Sequence, residues 1–387
     1  MNRFCSIFGQ LLKLFPRTEF HRLVRQTRAE RHARGFGCWD QFVAMLFCQL
    51  GRAQSLREIC GGLASCEGKL VHLGISAPAR STLAYANAHR PWALYQAVFE
   101  QLLERCRSAY RGPRKFRFKN KLLSLDATMI ELCVSVFDWA KYQRTKGAVK
   151  LHLVLDHDGY LPSMVVITDG RAFETKVVRH FTFEPGTIVV VDRGYLDYQW
   201  YADMTARGVF VVTRARTNMV YEVLQSRTVP KTGAVVRDEV IRLTSPHAAD
   251  RCTNRLRRIE VVRPDTGEGL TLLTNHLEFA ASTIARIYKE RWQIELFFKA
   301  IKQNLRIKTF VGTSANALQI QIWTALIAML ILRYLQQRAR WAWSLSTLVA
   351  LLRMNLFVHR DLWSWLDQPF QPPDQLPQAI QTTFAFA

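Results

Sequence analysis

Two periods of hydrophobic and polar positions divide the chain. Over roughly the first 105 residues, apolar side chains recur at helical spacing, as in WDQFVAMLFCQLGRAQSLREICGGL. Within that segment Ser55 predicts a helix start and Gly61-Gly62 a helix end. ARSTLAYANAHRPW predicts a short helix that begins at Ser81 and ends before Pro91. The N-terminal region is therefore predicted to be helical, and short helices near basic residues are compatible with a DNA-reading module.

From residue 122 the pattern changes to short apolar runs that are typical of strands. LLSLDATMIEL predicts one strand, and KLHLVLDHDGYLPSMVVITDG predicts two strands joined by an Asp-Gly turn. TIVVVDRGY and VFVVTRAR predict strands buried on both faces. Helices are predicted around residues 172–182 and in LDYQWYADMTARG, which ends at Gly208. This alternation predicts an α/β fold, a sheet flanked by helices.

The rest of the chain adds two further segments. Residues 215–275 are β-rich and basic, and residues from about 310 to 365 are helical again, ahead of a Pro/Gln-rich loose tail. We therefore predict a helical N-terminal domain (1–110) that binds DNA, a basic linker (111–121), an α/β domain (122–305) interrupted by the β-rich insertion at 215–275, and a helical C-terminal region (306–387).

The charge of the chain narrows the class of partner. The formal charge is +22, from 53 Lys and Arg against 31 Asp and Glu. Such an excess destabilises a fold by self-repulsion, so we expect a polyanionic partner, either nucleic acid or membrane lipid. The linker segment RSAYRGPRKFRFKNK has seven basic residues with aromatic residues among them. That composition suits phosphate contacts and base stacking, and a solvated linker is the alternative.

Several functional classes lack support in the sequence. The most apolar run, TALIAMLIL at 324–332, is far short of a membrane span and predicts a buried core helix. The N-terminus lacks the features of a signal peptide. The eight cysteines are scattered without zinc spacing, as expected of reduced thiols in a cytosolic protein. The chain has no Gly-rich nucleotide loop. We therefore expect no membrane partner and no nucleotide cofactor.

Two isolated aspartates follow predicted strands. Asp126 comes directly after LLSL, and Asp192 comes directly after TIVVV. Ligands bind at strand ends in α/β sheets, and Asp is a poor strand residue. One such aspartate is usually a turn starter. Two at neighbouring strand ends are less easily explained in that way, so we take both as candidate site residues.

A third carboxylate lies on the predicted helix IARIYKERWQIELFFKAIKQNLRIKTF. On this helix an apolar stripe lies beside a polar row that falls within roughly 60° of arc and consists of Tyr288, Arg291, Glu295 and Lys302. A solvated face with an Arg–Glu pair is the alternative interpretation. Three converging carboxylates in a basic protein suit two Mg²⁺ ions, which prefer oxygen ligands and can stabilise an in-line phosphoryl transfer.

These motifs resemble the DDE transposases of bacterial insertion sequences. The similarity is to the insertion-sequence family 4 branch, whose signature is Tyr-x2-Arg-x3-Glu-x6-Lys. Every spacing of that signature is met by Tyr288, Arg291, Glu295 and Lys302. SLDATMI and VVVDRGYLD are similar to the segments around the family's first and second acids, and KGAVKLHL and LLTN also resemble family segments. The resemblance covers roughly residues 75–335, and the family carries a β-rich insertion before its Glu.

The resemblance implies a ribonuclease-H-like mixed sheet and a set of site residues. Asp126, Asp192 and Glu295 are expected to be the catalytic residues and the ligands of two Mg²⁺ ions, with Mn²⁺ as a substitute. Contacts to DNA are expected from Tyr288, Arg291, Lys302, Trp292, Arg193 and Lys299.

The implied function is a transposase that binds the ends of its element, cleaves phosphodiesters and transfers the 3′-OH ends to target DNA, by cut-and-paste. The implied partner is double-stranded DNA, bound by a homodimer in the bacterial cytoplasm at the nucleoid. Related enzymes hold a flipped base with a Trp in the β insertion, but here no Trp lies between Trp200 and Trp292, which leaves Trp292 or Tyr221 for that role. The alternatives are a metal-dependent nuclease of the same fold and a catalytically lapsed DNA-binding protein.

Overall fold

The computed structural model describes residues 5–31, 35–66, 68–112, 115–132, 137, 139, 141–143, 146–229, 233–263, 266–305, 307 and 310–371. Part of the predicted linker (113–114) and most of the predicted tail (372–387) lie outside these residues.

The first strands of the chain form a mixed sheet. They are β1 (Leu122–Leu132), β2 (Lys141–Gln143), β3 (Lys146–Asp156), β4 (Leu161–Asp169), β5 (Ile188–Val191) and β6 (Phe210–Arg214). The central order is β4-β3-β1-β5-β6. β1, β3 and β4 pair antiparallel, whereas β5 runs parallel to β1 and to β6. This is the ribonuclease-H-like arrangement that the sequence resemblance implies.

The β-rich segment after residue 215 continues the same sheet. Its strands are β7 (Tyr221–Ser226), β8 (Val235–Leu243), β9 (Leu256–Val262) and β10 (Gly269–Thr274). β10 pairs antiparallel with β6, and β9, β8 and β7 follow in that order. The inserted strands therefore extend the ten-stranded sheet outward from β6.

Helices cover the sheet and form a layer beside it. The N-terminal helices are α1 (Ile7–Leu12), α2 (Arg17–Gln26), α3 (Cys38–Leu50), α4 (Leu56–Ala64), α5 (Arg80–His89) and α6 (Ala93–Ala109). Those within the α/β region are α7 (Glu174–Val177), α8 (Tyr198–Ala206), α9 (Pro246–Ala249), α10 (Ala281–Lys289) and α11 (Trp292–Asn304). The last three are α12 (Ala315–Arg338), α13 (Leu345–Asn355) and α14 (Leu362–Asp367).

The N-terminal and C-terminal helices share one hydrophobic core. α12 packs against α3, α5 and α6, and its buried side chains belong to the same cluster as those of β3 and α11. By length and apolar composition α12 could cross a bilayer, but most of its residues are buried inside the protein. The predicted core helix is confirmed, although it is far longer than the run at 324–332, because buried polar residues such as Gln321 extend it.

Two predicted helix boundaries were wrong. Ser55 caps α4 as expected, since its hydroxyl accepts the amide of Glu58 at 3.2 Å. Gly61 and Gly62, however, lie inside α4 rather than at its end. A Cβ on Gly62 would lie 3.0 Å from the Phe47 ring, so this glycine allows α3 and α4 to approach closely. Ser81 is inside α5, which begins one residue earlier without a side-chain cap.

A buried ion pair ties the inserted strands together. Arg257 of β9 is only 2% exposed and donates to both carboxylate oxygens of Asp238 on β8, from Nε at 2.7 Å and from Nη2 at 2.6 Å. Two buried charges that satisfy each other in this way are stable together, but either one alone carries its full desolvation cost.

We predict that Asp238→Ala lowers the free energy of unfolding by about 3–5 kcal/mol, because it leaves the Arg257 guanidinium buried without its partner. Urea denaturation of the two proteins measures the difference. The matched control is the double variant Asp238→Leu/Arg257→Met, which removes both charges and is expected to lose less stability. Equal losses in the two variants would contradict this account.

Candidate active site

The two candidate aspartates lie side by side in the sheet. The parallel pairing of β1 with β5 ends with Leu125 opposite Val191, and the next residues in that register are Asp126 and Asp192. β5 ends there, so Asp192 follows a strand as predicted. Asp126 instead lies inside β1, which continues to Leu132 because β3 still pairs with it. The predicted strand end was therefore wrong for Asp126, although both aspartates do lie at the carboxyl end of β5.

Arg291 connects Asp126 to Glu295. Its Nη2 donates to Glu295 Oε1 at 2.6 Å, and its Nη1 lies 3.5 Å from Asp126 Oδ2. Glu295 is in the first turn of α11, which packs on β1. The structure therefore brings Asp126 and Glu295 together, as the sequence predicted, with a guanidinium between them.

Burial raises the pKa of Asp126 to about 6. The amide of Ala127 and the guanidinium of Arg291 oppose this rise, while the carboxylates of Asp192 and Glu295 add to it. The three acids are therefore close enough to repel one another, and a cation between them is stabilised. Among the residues that the structure describes, no group of three or more Asp, Glu, His or Cys side chains has the spacing that would hold a metal ion.

The helix that was predicted to carry all four signature residues is interrupted. α10 ends at Lys289 and α11 begins at Trp292, with a tighter turn between them. The amides of Glu290 and Arg291 bond three residues back, to Ile287 and Tyr288, each at 3.1 Å. The prediction of one continuous helix was wrong at this turn. Mid-helix turns of this kind are frequent at functional positions.

The turn between α10 and α11 is associated with a buried ion pair. Glu290 is 7% exposed, and its Oε1 lies 2.8 Å from Lys115 Nζ. The turn thus lets Glu290 point inward while its neighbour Arg291 points to the acids. The ring of Tyr288 lies 5.9 Å from the Arg291 guanidinium carbon. Burial raises the pKa of Tyr288, which Arg291 opposes and Asp192 favours, so this phenol also faces the site.

The other predicted DNA contacts surround this centre. Lys302 Nζ donates to the Met129 carbonyl of β1 at 2.9 Å. Trp292 is 56% exposed next to Arg291. Arg193 and Lys299 are exposed, and only Arg193 lines the cleft described next.

A basic cleft of about 500 Å³ opens beside Asp192. Its lining residues are Asp192, Arg193, Gly194, Arg214, Arg216, Thr217 and Asn218. The sequence analysis missed Arg214 and Arg216. Their signal was present, because Arg214 is the last residue of β6, the strand next to β5, and Arg216 lies two residues later at the same edge of the sheet. Three arginines around one cleft are suited to holding phosphates beside the carboxylates.

Buried polar side chains form a hydrogen-bonded group near the two aspartates. Tyr195 is 1% exposed, and its hydroxyl lies 3.5 Å from His152 Nδ1. His152 Nε2 lies 3.1 Å from the Thr168 hydroxyl. Burial lowers the pKa of His152 to about 4, so this imidazole is neutral at pH 7. These contacts fix β3 and the turn after Asp192 relative to each other.

β1 and β5 thus bring a pair of aspartates together, and the packed helix α11 carries a glutamate near them. The family model described as "Transposase DDE domain" matches residues 117–331. The chain therefore belongs to the DDE transposases, and it is a DNA transposase. A second family model, a domain of unknown function named DUF4372, matches residues 5–76.

Known relatives carry the same kind of name. The chain is 32% identical to the putative transposase y4zB of Sinorhizobium fredii, over 85% of this chain and 93% of that one. It is 26% identical to the probable transposase for insertion sequence element IS5377 of Geobacillus stearothermophilus, over 67% of this chain and 68% of the other. Among solved structures, the cryo-EM structure of the piggyBac transposase synaptic complex with hairpin DNA matches with a TM-score of 0.47 and 10% identity, over 97% of this chain and 84% of that chain.

We predict that Asp126→Asn stabilises the metal-free protein at pH 8. Because the folded state raises the pKa of Asp126 from 3.8 to about 6, this carboxylate destabilises the fold increasingly as the pH rises through that interval. The gain in the free energy of unfolding at pH 8 should be on the order of 1–3 kcal/mol and should vanish below about pH 4.

Urea denaturation with EDTA at pH 8 and pH 4 tests this. Glu131→Gln is the control, since Glu131 is exposed on the same strand. A variant that is less stable than the wild type at pH 8 would show that Asp126 is held favourably in its charged form.

Proposed function

We propose that this transposase uses Asp126, Asp192 and Glu295 to cleave and join DNA, as a member of the insertion-sequence family 4 branch. One observation carries the proposal. Burial lowers the pKa of Arg291, but Tyr288 and all three acids more than compensate, so that its pKa is raised. The half-buried Arg291 guanidinium contacts Asp126 and Glu295, and Asp192 is next to Asp126 in the β1–β5 register.

The donor set fits a hard divalent cation. Carboxylate oxygens are the ligands that Mg²⁺ prefers. Burial is the main cause of the raised pKa of Asp126, and the carboxylates of Asp192 and Glu295 add to it. We propose two Mg²⁺ ions held by Asp126, Asp192 and Glu295, with Mn²⁺ as a substitute. Such ions, when bound, activate the attacking oxygen and neutralise charge on the leaving oxygen.

Arg291 then changes partners in this proposal. In the DNA-free protein its Nη1 and Nη2 atoms face Asp126 and Glu295, whereas its buried Nε has no hydrogen-bond partner among the residues that the structure describes. When divalent ions bind the acids, the guanidinium turns toward the phosphate that flanks the scissile bond, where Tyr288 supports it. Arg193, Arg214 and Arg216, which line the cleft beside Asp192, hold the phosphates of the DNA strand where it continues past that residue. Lys299 and Lys302, on the following turns of α11, complete the contacts.

The proposed reaction has two phosphoryl transfers. Water attacks a phosphodiester at the element end, and the bond to the 3′ oxygen breaks, which leaves a 3′-OH and a 5′-phosphate. The 3′-OH then attacks a target phosphodiester, so that a new phosphodiester forms while one target bond breaks. No covalent protein–DNA intermediate is required, and cut-and-paste movement needs, in addition, cleavage of the second strand at each element end. Joining two ends implies a homodimer on DNA, which we place at the bacterial nucleoid in the cytoplasm.

For an unpaired base near the scissile bond, Trp292 is the better candidate platform. Its ring is largely exposed beside Arg291. Tyr221 is partly buried and faces the Arg258 guanidinium, whose carbon lies 5.2 Å from the ring centroid. Aromatic stacking on a base needs an open face, which Trp292 has.

We expect Asp126→Asn, Asp192→Asn and Glu295→Gln each to abolish cleavage and leave binding of the element end within about twofold, because each loses one metal-binding charge without changing the surface that holds DNA. The measurement uses a labelled duplex that carries the element's own terminus, with Mg²⁺ or with EDTA. Glu131→Gln is the matched control and should cleave normally.

Near-normal cleavage by any of the three variants would remove that residue from the proposed site. Cleaved ends that never join a target duplex would favour a nuclease. Binding of the terminus with no metal-dependent product from the wild type would favour a lapsed enzyme.

We also expect Arg291→Gln to bind Mn²⁺ more tightly than the wild type in the absence of DNA. The guanidinium competes with the ion for the same carboxylates, and its loss should improve the dissociation constant by on the order of tenfold, equivalent to about 1.4 kcal/mol. Electron paramagnetic resonance of free Mn²⁺ measures this without any DNA. Lys299→Gln removes an exposed charge from the same helix as a control. Unchanged or weaker Mn²⁺ binding by Arg291→Gln would contradict the exchange of partners.

A further inference from the structure

Four arginines at the C-terminal end of α2 and in the turn after it face solvent. Arg22, Arg25, Arg28 and Arg31 follow one another every three residues, and all four are exposed. We call them the arginine surface. None of them forms an ion pair with a carboxylate in the part of the chain that the structure describes, in contrast to Arg105, which pairs with Glu19.

The nearby carboxylates are already engaged elsewhere. Glu19 accepts hydrogen bonds from Arg105 and Gln101 on the neighbouring helix α6. Glu30 accepts the backbone amide of Cys38 at the start of α3. Both acids therefore fix α2 and its turn to the rest of the fold rather than neutralising the arginine surface.

Three of these arginines converge on one concave region. A cleft of about 440 Å³ is lined by Val24, Arg25, Arg28, Glu30 and Arg31. Three arginines and one glutamate thus line the same cleft. Guanidinium groups present planar forks that match phosphate oxygens in pairs, so the cleft is suited to a phosphate chain.

Arg28 occupies a backbone position that favours glycine. α2 ends in a Schellman motif, in which the Arg28 amide bonds to the Arg25 carbonyl at 3.2 Å and the Ala29 amide bonds to the Val24 carbonyl at 3.0 Å. The motif requires a left-handed residue at Arg28, whose φ is 53°. An arginine there is less stable than a glycine, so its presence indicates a use for the charge that offsets the strain.

We propose that the arginine surface binds the phosphate backbone of duplex DNA, which would give the segment matched only as a domain of unknown function a DNA-positioning role. The inference rests on the chain acting on DNA as a transposase. A lipid surface is the other polyanion with this chemistry. Helices that lie on membranes expose apolar side chains beside the charges, whereas Phe20, Leu23 and Val24 of α2 are all buried.

Salt dependence is the first test. The full-length protein, in EDTA, is titrated into a fluorescent duplex of arbitrary sequence at several NaCl concentrations. Each lost phosphate contact should reduce the slope of log affinity against log salt by about 0.9. The triple variant Arg22→Ala/Arg25→Ala/Arg31→Ala should therefore lose about 2.7 units of slope and bind at least tenfold more weakly at low salt.

A matched triple variant separates a local contact from a change in total charge. Arg207→Ala/Arg263→Ala/Arg340→Ala removes the same number of exposed charges from other elements and should keep nearly the wild-type slope. Equal loss of slope in both triple variants would overturn the proposal, because net charge alone would then explain binding. Since no metal is present, failure of DNA cleavage would leave this result unaffected.

Arg28 gives a second test that a purely structural role would not satisfy. Arg28→Gly should raise Tm by about 2 °C, because glycine adopts the left-handed conformation without strain, and it should reduce the salt slope by about 0.9. Arg28→Lys should keep most of the slope. A stabilised Arg28→Gly protein with unchanged DNA binding would overturn the role of Arg28.

Vesicles that contain phosphatidylserine provide the competing surface. The wild type should prefer the duplex to such vesicles at equal phosphate concentration, and the triple variant should lose that preference. Tighter binding to vesicles than to DNA, lost in the triple variant, would assign the arginine surface to lipid and overturn the proposal.

Discussion

The site depends on the repulsion between carboxylates that the fold holds together. Asp126 and Asp192 are next to each other in the β1–β5 register, and Glu295 is brought to them by α11. Burial makes the charged form of Asp126 unfavourable, and the two neighbouring carboxylates add to that cost. Arg291 supplies a cation in the DNA-free protein. Much of the surrounding structure can be understood as the framework that keeps these four side chains in place.

That framework is large because α11 has to be held rigidly. Its buried residues, such as Ile294 and Phe297, belong to a core that also contains α12, the N-terminal helices and one face of β3. The helical regions at both ends of the chain therefore stabilise the position of Glu295. The apolar stripe of α11 belongs to that core, and its polar row remains at the sheet edge.

The sequence predicted the fold class and the order of the first strands and helices along the chain, because each has a local signal. It also singled out three acids, which the structure places near one another. Buried parallel strands are apolar throughout, and an aspartate directly after TIVVV stands out against them. Prediction from the sequence failed where a contact between distant residues overrides a local rule. Gly62 looked like a helix end, but the Phe47 ring makes it a contact point between two helices. The interruption at Glu290 depends on Lys115, which is more than 170 residues earlier in the chain.

Prediction of side-chain partners was weaker still. Spacing alone placed Arg291 on the same face as Glu295, which is correct, and assigned it to phosphate. The structure shows that its partners in the absence of DNA are the acids themselves, because a buried guanidinium binds the nearest uncompensated carboxylates. Charge pairing depends on which groups the tertiary fold brings together, and no periodicity in the sequence contains that information.

Two residues lie in local environments that destabilise them. Asp126 keeps a charge where burial disfavours it, and Arg28 keeps a side chain where the backbone favours glycine. Both residues carry charge of the sign that their proposed ligand would neutralise: metal cations for Asp126, and phosphate for Arg28. A ligand that binds only the folded state repays such strain when it binds. In the DNA-free protein both costs stand, and a favourable contact with the proposed ligand would offset each of them.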